Sequence, residues 1–326
     1  MKRQKTIVIA LGGNSILRAN QKGTYEEQYS NLWQTGGQLL EVLAGENRVV
    51  ITHGNGPQVG NLLLAIESAR DSVPSMPLDT CGSATQGFMG YMIQNTLANC
   101  LRQAGLKHNI TTVITQVIVD KDDPAFKNPT KPIGPFYDFN EAEKLRREGG
   151  WEMIEDSARG YRRVVPSPKP VTIQQARIIT SMLDAGEIVI AVGGGGIPVV
   201  RERNGDLRGV EAVIDKDYAS SRLAIDINAD ILLILTAVEK VFREFGLPSQ
   251  KALDNLTLAE AKELLAEGQF GTGSMEPKIR AAIEFLQETD KPAQPGLPHR
   301  EREVIITLPE TAMAAMQGKT GTRITR

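Results

Sequence analysis

The sequence predicts an α/β fold, a three-layer sandwich with a mainly parallel central sheet. Three apolar runs of the kind that a strand buried on both faces requires end in glycine-containing loops: Thr6 to Leu11, Val49 to Thr52 and Ile188 to Val192. Segments with helical spacing of apolar residues lie between such runs. Because strands and helices alternate along most of the chain, we expect helices on both faces of the sheet.

The first third of the chain shows this alternation clearly. Pro57 stands where a first-turn proline is tolerated, so a helix is predicted directly after it. A later strand is rich in β-branched residues. The predicted elements are a strand at Thr6 to Leu11, a helix around Tyr25 to Leu43, a strand at Arg48 to Thr52, a helix at Gln58 to Arg70, a loop at Pro74 to Asp79, a helix at Ala84 to Ala104 and a strand at Thr111 to Val119.

The alternation breaks from Asp120 to about Val165. Pro and Asp are too frequent there for a core element, as in the stretch Asn128 to Pro135. We therefore predict an excursion that protrudes from the sheet, and long excursions of this kind often serve as lids.

The alternation resumes in the second half. Thr257 and Glu260 have the spacing of a capping box, which predicts a helix start. The predicted elements are a helix at Thr172 to Ala185, a strand at Ile188 to Val192, a helix from about Asp217, a strand at Ile231 to Leu235, a helix ending near Gly268, a helix containing Ile279 to Leu286, a flexible surface loop at Thr289 to Arg302, a strand at Glu303 to Thr307, a helix at Pro309 to Met316 and a tail at Gly318 to Arg326.

Glycines at the strand ends suggest an anion site. Gly193 to Gly196 expose backbone N–H groups without Cβ obstruction, and Asp215, Lys216 and Asp217 place one cation between two anions at a helix start. A glycine run is more often a tight turn, and Asp-Lys-Asp is usually a solvated helix start. The repetition of the strand and glycine pattern favours phosphate chemistry at one edge of the sheet.

Bulk composition restricts the functional class. The 326 residues include 37 Lys and Arg against 39 Asp and Glu, a formal net charge of −2, so no global basic field recruits nucleic acid or an anionic membrane. No segment approaches the roughly 20 apolar residues of a membrane span, and the N-terminus lacks the features of a signal peptide. We expect a cytoplasmic protein with Cys81 and Cys100 as free thiols. His53, His108 and His299 provide no basis for a zinc site or a hydrolase triad.

An ordered set of motifs from about residue 6 to residue 324 resembles the bacterial carbamate kinases, which belong to the amino acid kinase family. Each glycine motif alone is weak, but their order along the chain is highly specific. The motifs are Ala10 to Asn14, Thr52 to Gly60, Asn128 to Gly134, Gly193 to Val199, Ile214 to Asp217, and Gly273 to Met275 followed by Pro277 and Lys278.

The resemblance implies the reaction ATP + carbamate ⇌ ADP + carbamoyl phosphate, with Mg²⁺, on a homodimer. It implies an N-lobe at 1–218 that binds carbamate or carbamoyl phosphate and includes the excursion at about 120–165, and a C-lobe at 219–326 that binds nucleotide. Carbamate is already an anionic oxygen nucleophile, so the absence of a His or Ser dyad is compatible with this chemistry. Catalysis would depend on cations and backbone N–H donors around the transferring phosphoryl group.

The resemblance also implies residue roles. Lys216 would bridge the phosphates, Lys278 would contact the nucleotide phosphates, Lys131 would reach substrate from the excursion, and Asp217 would orient the lysines. Carbamate and the transferring phosphoryl group would lie in a cradle of Gly12, Gly13, Asn14, Gly54, Asn55 and Gly56, with Gly194 and Gly195 beside it. The adenosine contacts would come from Thr236, Ala237, Val238 and Met275. No protein ligand is assigned to Mg²⁺, which phosphate oxygens and water mainly hold.

Structural alternatives exist for several of these residues. Outside their motifs, Lys131 and Lys278 would be interpreted as solvated surface lysines. His53 could be a satisfied core histidine, Met275 could fill a gap between helices, and Asp215 is ambiguous between helix capping and catalysis. Two rival functions also remain: another kinase of the family acting on a different carboxylate or a nucleotide, and a catalytically silent ATP-binding regulatory paralogue. The small glycine-rich cradle favours a small substrate.

Overall fold

The computed structural model describes residues 4–18, 20–69, 71–156, 160–271, 273–288 and 301–326. Its helices are α1 (Tyr25–Leu43), α2 (Gly56–Ser68), α3 (Leu78–Gln103), α4 (Phe139–Gly149), α5 (Ala176–Asp184), α6 (Lys216–Asp226), α7 (Leu258–Ala266), α8 (Met275–Gln287) and α9 (Ala312–Met316). Its strands are β1 (Thr6–Leu11), β2 (Arg48–His53), β3 (Ile110–Thr112), β4 (Gln116–Val119), β5 (Lys131–Tyr137), β6 (Met153–Glu155), β7 (Tyr161–Val165), β8 (Pro170–Ile173), β9 (Ile188–Ile190), β10 (Ile197–Arg201), β11 (Leu207–Gly209), β12 (Ile231–Leu235), β13 (Val241–Arg243), β14 (Lys251–Leu253), β15 (Asn255–Thr257), β16 (Glu303–Thr307) and β17 (Thr322–Thr325).

The main sheet has the strand order β15-β17-β16-β12-β1-β2-β9-β3. From β16 to β3 every neighbouring pair is parallel, whereas β17 runs antiparallel to β16. The carboxyl ends of β1, β2, β9 and β12 therefore meet at one edge. The predicted mainly parallel sheet is confirmed.

Two apolar cores lie on opposite faces of this sheet. Val8 and Ala10 of β1 face a core built with α5, α6, α7 and α8. Ile7, Ile9 and Leu11 face the other core, which α1, α3 and α9 complete. Alternate residues of one strand thus enter different cores, as the geometry of a strand requires. The predicted three-layer sandwich is confirmed.

The excursion from the main sheet contains an antiparallel sheet of its own. Strands β5, β7 and β6 pair in that order, and α4 packs beside them through Ala142, with Tyr137 and Met153 in a small apolar cluster. A further sheet has the strand order β11-β10-β4-β8, and its residues Val117, Ile173 and Val200 lie in the core shared with α5 to α8. Asp138 begins α4 by accepting a hydrogen bond from the backbone N–H of Glu141. The Pro-rich stretch is thus a protrusion with regular structure.

Several predicted helices are confirmed at their starts and ends. Thr24 and Glu27 form a capping box at the start of α1, which spans the predicted residues. Thr257 and Glu260 form the capping box predicted for α7. Helix α2 begins at Gly56, two residues earlier than predicted, with Pro57 in its first turn. Arg70, the predicted end of α2, lies outside the described residues, as do residues 289–300 of the loop predicted at Thr289 to Arg302.

Some predicted boundaries were wrong, and distant residues explain why. The strand predicted at Thr111 to Val119 divides into β3 and β4, which belong to different sheets, because Thr115 at the break donates its backbone N–H to Gln86 of α3. Helix α3 begins at Leu78, inside the predicted loop, where the Glu211 carboxylate accepts from the Leu78 N–H at 2.8 Å.

Two further predictions were corrected by strand pairing. Residues predicted to begin a helix at Thr172 instead complete β8, where Ile173 pairs with Val117 of β4, and α5 starts only at Ala176. The predicted tail contains β17, which lies between β15 and β16 within the main sheet. Cys81 and Cys100 are buried free thiols, as predicted. None of the helices in the described part of the chain combines the length and apolar character needed to cross a membrane.

Candidate active site

A cavity of about 440 Å³ opens at the carboxyl edge of the main sheet. Charged side chains of opposite sign line it: within the described residues, Lys131, Arg162, Lys216 and Lys278 are the cations, and Asp215 and Asp217 are the anions. The cations exceed the anions by two, which suits a polyanionic ligand. The other lining residues are Gly13, Asn14, Ile16, Leu17, Gly54, Asn55, Gly56, Pro57, Gln58, Pro132, Ile133, Gly194, Val213, Ile214, Gly273, Ser274 and Pro277.

Two loops that follow parallel strands form one wall of the cavity. The chain leaves β1 into a short 3₁₀ turn at Gly13–Ser15, and it leaves β2 through Gly54 into the first turn of α2. A Cβ at Gly13 or Gly56 would meet no atom within 4 Å, so open space lies beside both residues. Backbone N–H groups at such positions are available to an anion.

The loop at Gly193–Gly196 is held by close packing. Gly194, Gly195 and Gly196 have positive φ angles of 66°, 89° and 84°, which favour glycine. A Cβ at Gly194 would lie 2.2 Å from Asn55 Nδ2, and one at Gly195 would lie 2.1 Å from the carbonyl oxygen of Ile214. Gly194 lines the cavity, whereas Gly195 is buried behind it. This loop therefore positions Asn55 and the chain before α6.

The Asp217 carboxylate lies between two lysines. Lys216 Nζ is 2.5 Å from Asp217 Oδ1, and Lys278 Nζ is 3.1 Å from Asp217 Oδ2. The three side chains come from the first turns of α6 and α8, and Asp217 is only 3% exposed. Asp217 thus supplies the anion that a lysine in the first turn of α8 requires.

The pKa values of Asp217 and Lys278 are both lowered in this cluster. Burial would raise the pKa of the Asp217 carboxyl, but Lys216 and Lys278 outweigh it and lower that pKa to about 2. Burial lowers the pKa of Lys278, and the neighbouring charge of Lys216 lowers it further. Asp217 is therefore ionised at neutral pH, and its charge opposes the loss of a proton from Lys278.

The excursion reaches the cavity through Lys131, the first residue of β5. Lys131 Nζ is 2.5 Å from Asp215 Oδ2, while Asp215 Oδ1 accepts from the backbone N–H of Asp217 at 2.8 Å. Asp215 therefore has two roles at once: it caps α6 and it ion-pairs with the excursion. Capping and participation in the site, which the sequence left as alternatives, are both features of this residue.

His53 at the end of β2 is 1% exposed, and burial lowers its pKa to about 4. Its Nδ1 is 2.9 Å from the carbonyl oxygen of Gly54, so the neutral ring donates from Nδ1. A Cβ at Gly193 would lie 2.4 Å from His53 Nε2, which shows how closely the ring is enclosed. His53 is a buried core histidine that supports the loop after β2.

A second cavity of about 550 Å³ adjoins the first, and Gly13, Asn14 and Lys278 line both. Gly12 lines only the second cavity, together with Thr236 and Ala237, which follow β12. Val238 is half-buried and lies outside both linings, as does Met275, the first residue of α8, which packs against the core. The structure thus brings most of the residues singled out from the sequence to the two cavities.

Some lining residues had no predicted role. Gln58 lies inside the motif Thr52 to Gly60 and begins the helix predicted there, but nothing in the sequence marked its side chain as part of a site; in the structure it is the third residue of α2 and lines the first cavity. Arg162 of β7 lines the first cavity and donates from Nε to the carbonyl oxygen of Gly134 at 3.1 Å. No sequence motif marks Arg162, because its place depends on the pairing of β5 with β7.

The fold, and a site built from glycine loops and lysines at one edge of a parallel sheet, are those of a phosphotransferase. The sequence model described as "Amino acid kinase family" matches residues 5–294, and the chain belongs to that family.

Named relatives place it more closely, among the carbamate kinases. It is 50% identical over 325 residues to the carbamate kinase of Thermococcus kodakarensis, covering 99% of each chain. It is 46% identical to the carbamate kinase of Clostridium perfringens, covering 98% of this chain and 99% of the relative. The solved structure of carbamate kinase from Giardia lamblia bound to AMP-PNP superposes with a TM-score of 0.89 at 42% identity, covering 100% of this chain and 99% of that one.

Proposed function

We propose that this protein is a carbamate kinase, which transfers a phosphoryl group reversibly between ATP and carbamate to give ADP and carbamoyl phosphate. The observation that carries the proposal is the buried Asp217 carboxylate held between Lys216 and Lys278 in a cavity walled by glycine loops. Two ammonium groups fixed by one buried carboxylate can meet the charge of a transferring phosphoryl group without moving.

The chemistry requires positioning more than proton transfer. Carbamate attacks through an oxygen that is already anionic, so the site needs no general base. His53, which directly precedes the cavity residue Gly54, is buried with a lowered pKa and does not itself line the cavity. The charge on the phosphoryl group would instead be stabilised by lysines and by backbone N–H groups of Gly13 and Gly54.

The residue roles that we propose are those that the family resemblance implies, and the positions of most of these residues in the two cavities support them. We assign Lys216 and Lys278 to the phosphates, Asp217 to their orientation, and Lys131 to the substrate side of the cavity. Carbamate would lie in the cradle formed by the loops after β1 and β2, within the proposed lobe at 1–218. Nucleotide would contact Thr236 and Ala237, which line the adjoining cavity, and Val238 and Met275, within the proposed lobe at 219–326.

Mg²⁺ would enter with the nucleotide. Within the described residues, no group of three or more His, Cys, Asp or Glu is placed to hold a metal ion. The cavity carboxylates of Asp215 and Asp217 are ion-paired with lysines, which suits an ion held mainly by phosphate oxygens and water. The bound ion would neutralise charge on the phosphates.

The test is ATP formation from carbamoyl phosphate and Mg·ADP by the purified protein, with Lys216→Ala as the control. We expect activity in the wild type and a loss of at least a hundredfold in the variant, because one of the fixed cations is removed. Folded wild-type protein that binds ADP without forming ATP would contradict the proposal. Acetylglutamate, aspartate, glutamate and UMP would then be tested as acceptors.

A homodimer is also proposed, as the family resemblance implies. Size-exclusion chromatography with light scattering distinguishes a monomer of 35.5 kDa from a particle of twice that mass. A monomer at micromolar concentration would contradict the proposal. The cytoplasmic location stays a prediction from the sequence.

A further inference from the structure

Gln58 is a buried polar residue that faces the substrate cavity. It is the third residue of α2, after Gly56 and Pro57, and only 7% of it is exposed. It lines the first cavity near the loop that carries Asn55. A side-chain amide this deeply buried normally has hydrogen-bond partners for its polar atoms.

A chain of hydrogen bonds fixes which way this amide points. The carbonyl oxygen of Gly23 can only accept, so Gln28, 2.7 Å away, donates to it from Nε2. Gln28 Oε1 is then the atom that faces Gln58, and Gln58 donates to it from Nε2 at 2.8 Å. The amide oxygen of Gln58 is therefore the acceptor left over. In the part of the chain that the structure describes, no donor reaches it.

The substrates of the proposed reaction differ from simple carboxylates in one group. Carbamate has an amino group where acetate has a methyl group, and that amino group is a hydrogen-bond donor. The lysines and backbone N–H groups of the site are donors only, so they bind the carboxylate and phosphate oxygens and not the amino group. The carboxylates of Asp215 and Asp217 already accept from lysines. Asn55 also lines the cavity and donates from Nδ2 to Thr85 Oγ1, so its amide oxygen is the competing acceptor for the amino group, and an effect confined to that residue would leave Gln58 without the role.

We propose that Gln58 is the residue that selects an amino-bearing substrate, because its amide oxygen accepts a hydrogen bond from the amino group of carbamate or carbamoyl phosphate. This inference rests on the proposed function. A methyl group in the same place would leave the oxygen buried without a donor, which is the arrangement by which binding sites reject analogues most strongly. Gln28 acts through Gln58 as a positioning residue.

The experiment compares ATP formation from Mg·ADP with two phosphoryl donors, carbamoyl phosphate and acetyl phosphate, which carry an amino and a methyl group respectively. The readout is the kcat/KM for carbamoyl phosphate divided by the kcat/KM for acetyl phosphate. In Gln58→Met, which keeps the side-chain volume but removes the amide, we expect the ratio to fall at least tenfold. In Gln28→Met we expect a smaller fall in the same direction, because the amide of Gln58 can then turn.

The matched control is Gln103→Met, the same chemical change at the exposed end of α3, which should leave the ratio unchanged. A ratio that stays unchanged in Gln58→Met, whether both kcat/KM values are retained or both fall by the same factor, would overturn the inference. If Gln58→Met does not fold, an unchanged ratio in Gln28→Met overturns it. A wild-type protein that makes no ATP from carbamoyl phosphate would overturn the proposed function instead, and this inference with it.

Discussion

At the scale of single residues, Asp217 is the buried anion that joins the two lysines of the candidate site. Its carboxylate is 3% exposed and contacts two ammonium groups from different helices. Removing one partner from a buried ionic cluster is costly, because the remaining charges stay buried without compensation. We therefore expect the loss of the Asp217 carboxylate to affect both the stability of the fold and the activity, and the two effects can be measured separately.

We expect Asp217→Asn to lower the free energy of unfolding by about 3 kcal/mol and to lower kcat at least a hundredfold, because Lys216 and Lys278 lose the anion that fixes them. Urea unfolding and ATP formation measure the two effects. The matched control is Asp254→Asn, which removes an exposed partner of Lys240 and should cost at most about 1 kcal/mol. Equal, small effects of both substitutions would show that the cluster is not critical.

His53 provides a second prediction, which concerns pH. Its pKa falls from 6.5 to about 4 on folding because the ring is buried. Between these two values the unfolded chain binds a proton that the folded chain does not, so the free energy of unfolding decreases as the pH falls from 6.5 to 4. At about 1.4 kcal/mol for each unit of pKa, the full decrease is about 3 kcal/mol.

The comparison is with His53→Gln, a neutral side chain that can still donate to the carbonyl oxygen of Gly54. Urea unfolding of both proteins at pH 7 and pH 4.5 should show a larger loss of stability in the wild type. The other titrating groups contribute equally to the loss of stability in both proteins, so their contributions cancel when the two losses are subtracted. A loss of the same size in both would mean that His53 does not titrate as its burial requires.

At the scale of secondary-structure elements, α2 and β5 meet through two glycines. A Cβ at Gly60 would lie 1.9 Å from the Cα of Gly134, a backbone atom that no side-chain rotation can remove. Gly134 itself has a φ of 76°, so the turn in β5 also favours glycine. Lys131 begins the same strand. The close approach of β5 to α2 therefore requires glycine at position 60.

We expect Gly60→Ala to push β5 away from α2 and so to displace Lys131 from Asp215. The KM for carbamoyl phosphate should rise at least tenfold, whereas ADP binding, measured by calorimetry, should change less than threefold. Gly37→Ala is the matched control, since a Cβ there meets no atom within 4 Å and alanine is favoured in a helix interior. Equal weakening of ADP binding in Gly60→Ala would show that the contact supports the whole site.

Elements defined by local pattern were predictable, and those defined by distant partners were not. Strand β1 is an apolar run bounded by glycine, and α1 has its own capping box, so both could be read from adjacent residues. The start of α3 depends on Glu211, more than 130 residues away, and the break between β3 and β4 depends on Gln86. No local pattern contains that information.

The same distinction applies to the site. Glycine loops and lysines that lie in ordered motifs were singled out from the sequence, and the structure places most of them around two adjoining cavities. Gln58 and Arg162 were not singled out. The orientation of Gln58 depends on Gln28 of another helix, and the place of Arg162 depends on strand pairing in the excursion. Tertiary contacts therefore determine what the motifs leave open.

At the scale of the whole molecule, the main sheet joins the two proposed lobes. Strand β1 pairs in register with β12, and β12 with β16, so strand hydrogen bonds run from the first strand of the chain to β16. Strand β17 completes this connection: Ile324 pairs with Leu256 of β15 and with Val304 of β16, and it is fully buried. A substitution at one end of the sheet should therefore affect the other.

We expect Ile324→Ala to cost about 3 kcal/mol, the usual effect of truncating a buried isoleucine. Trp33 of α1 and Trp151 of the excursion are the two tryptophans of the chain, and both lie in the first half. Their fluorescence should move to a lower urea midpoint together with the far-ultraviolet circular dichroism, because one sheet runs through both halves. Lys319→Ala, an exposed change nearby, should leave the free energy of unfolding within about 0.5 kcal/mol of the wild-type value. A fluorescence transition that stays in place while the circular dichroism shifts would mean that the halves unfold independently, despite the continuous sheet.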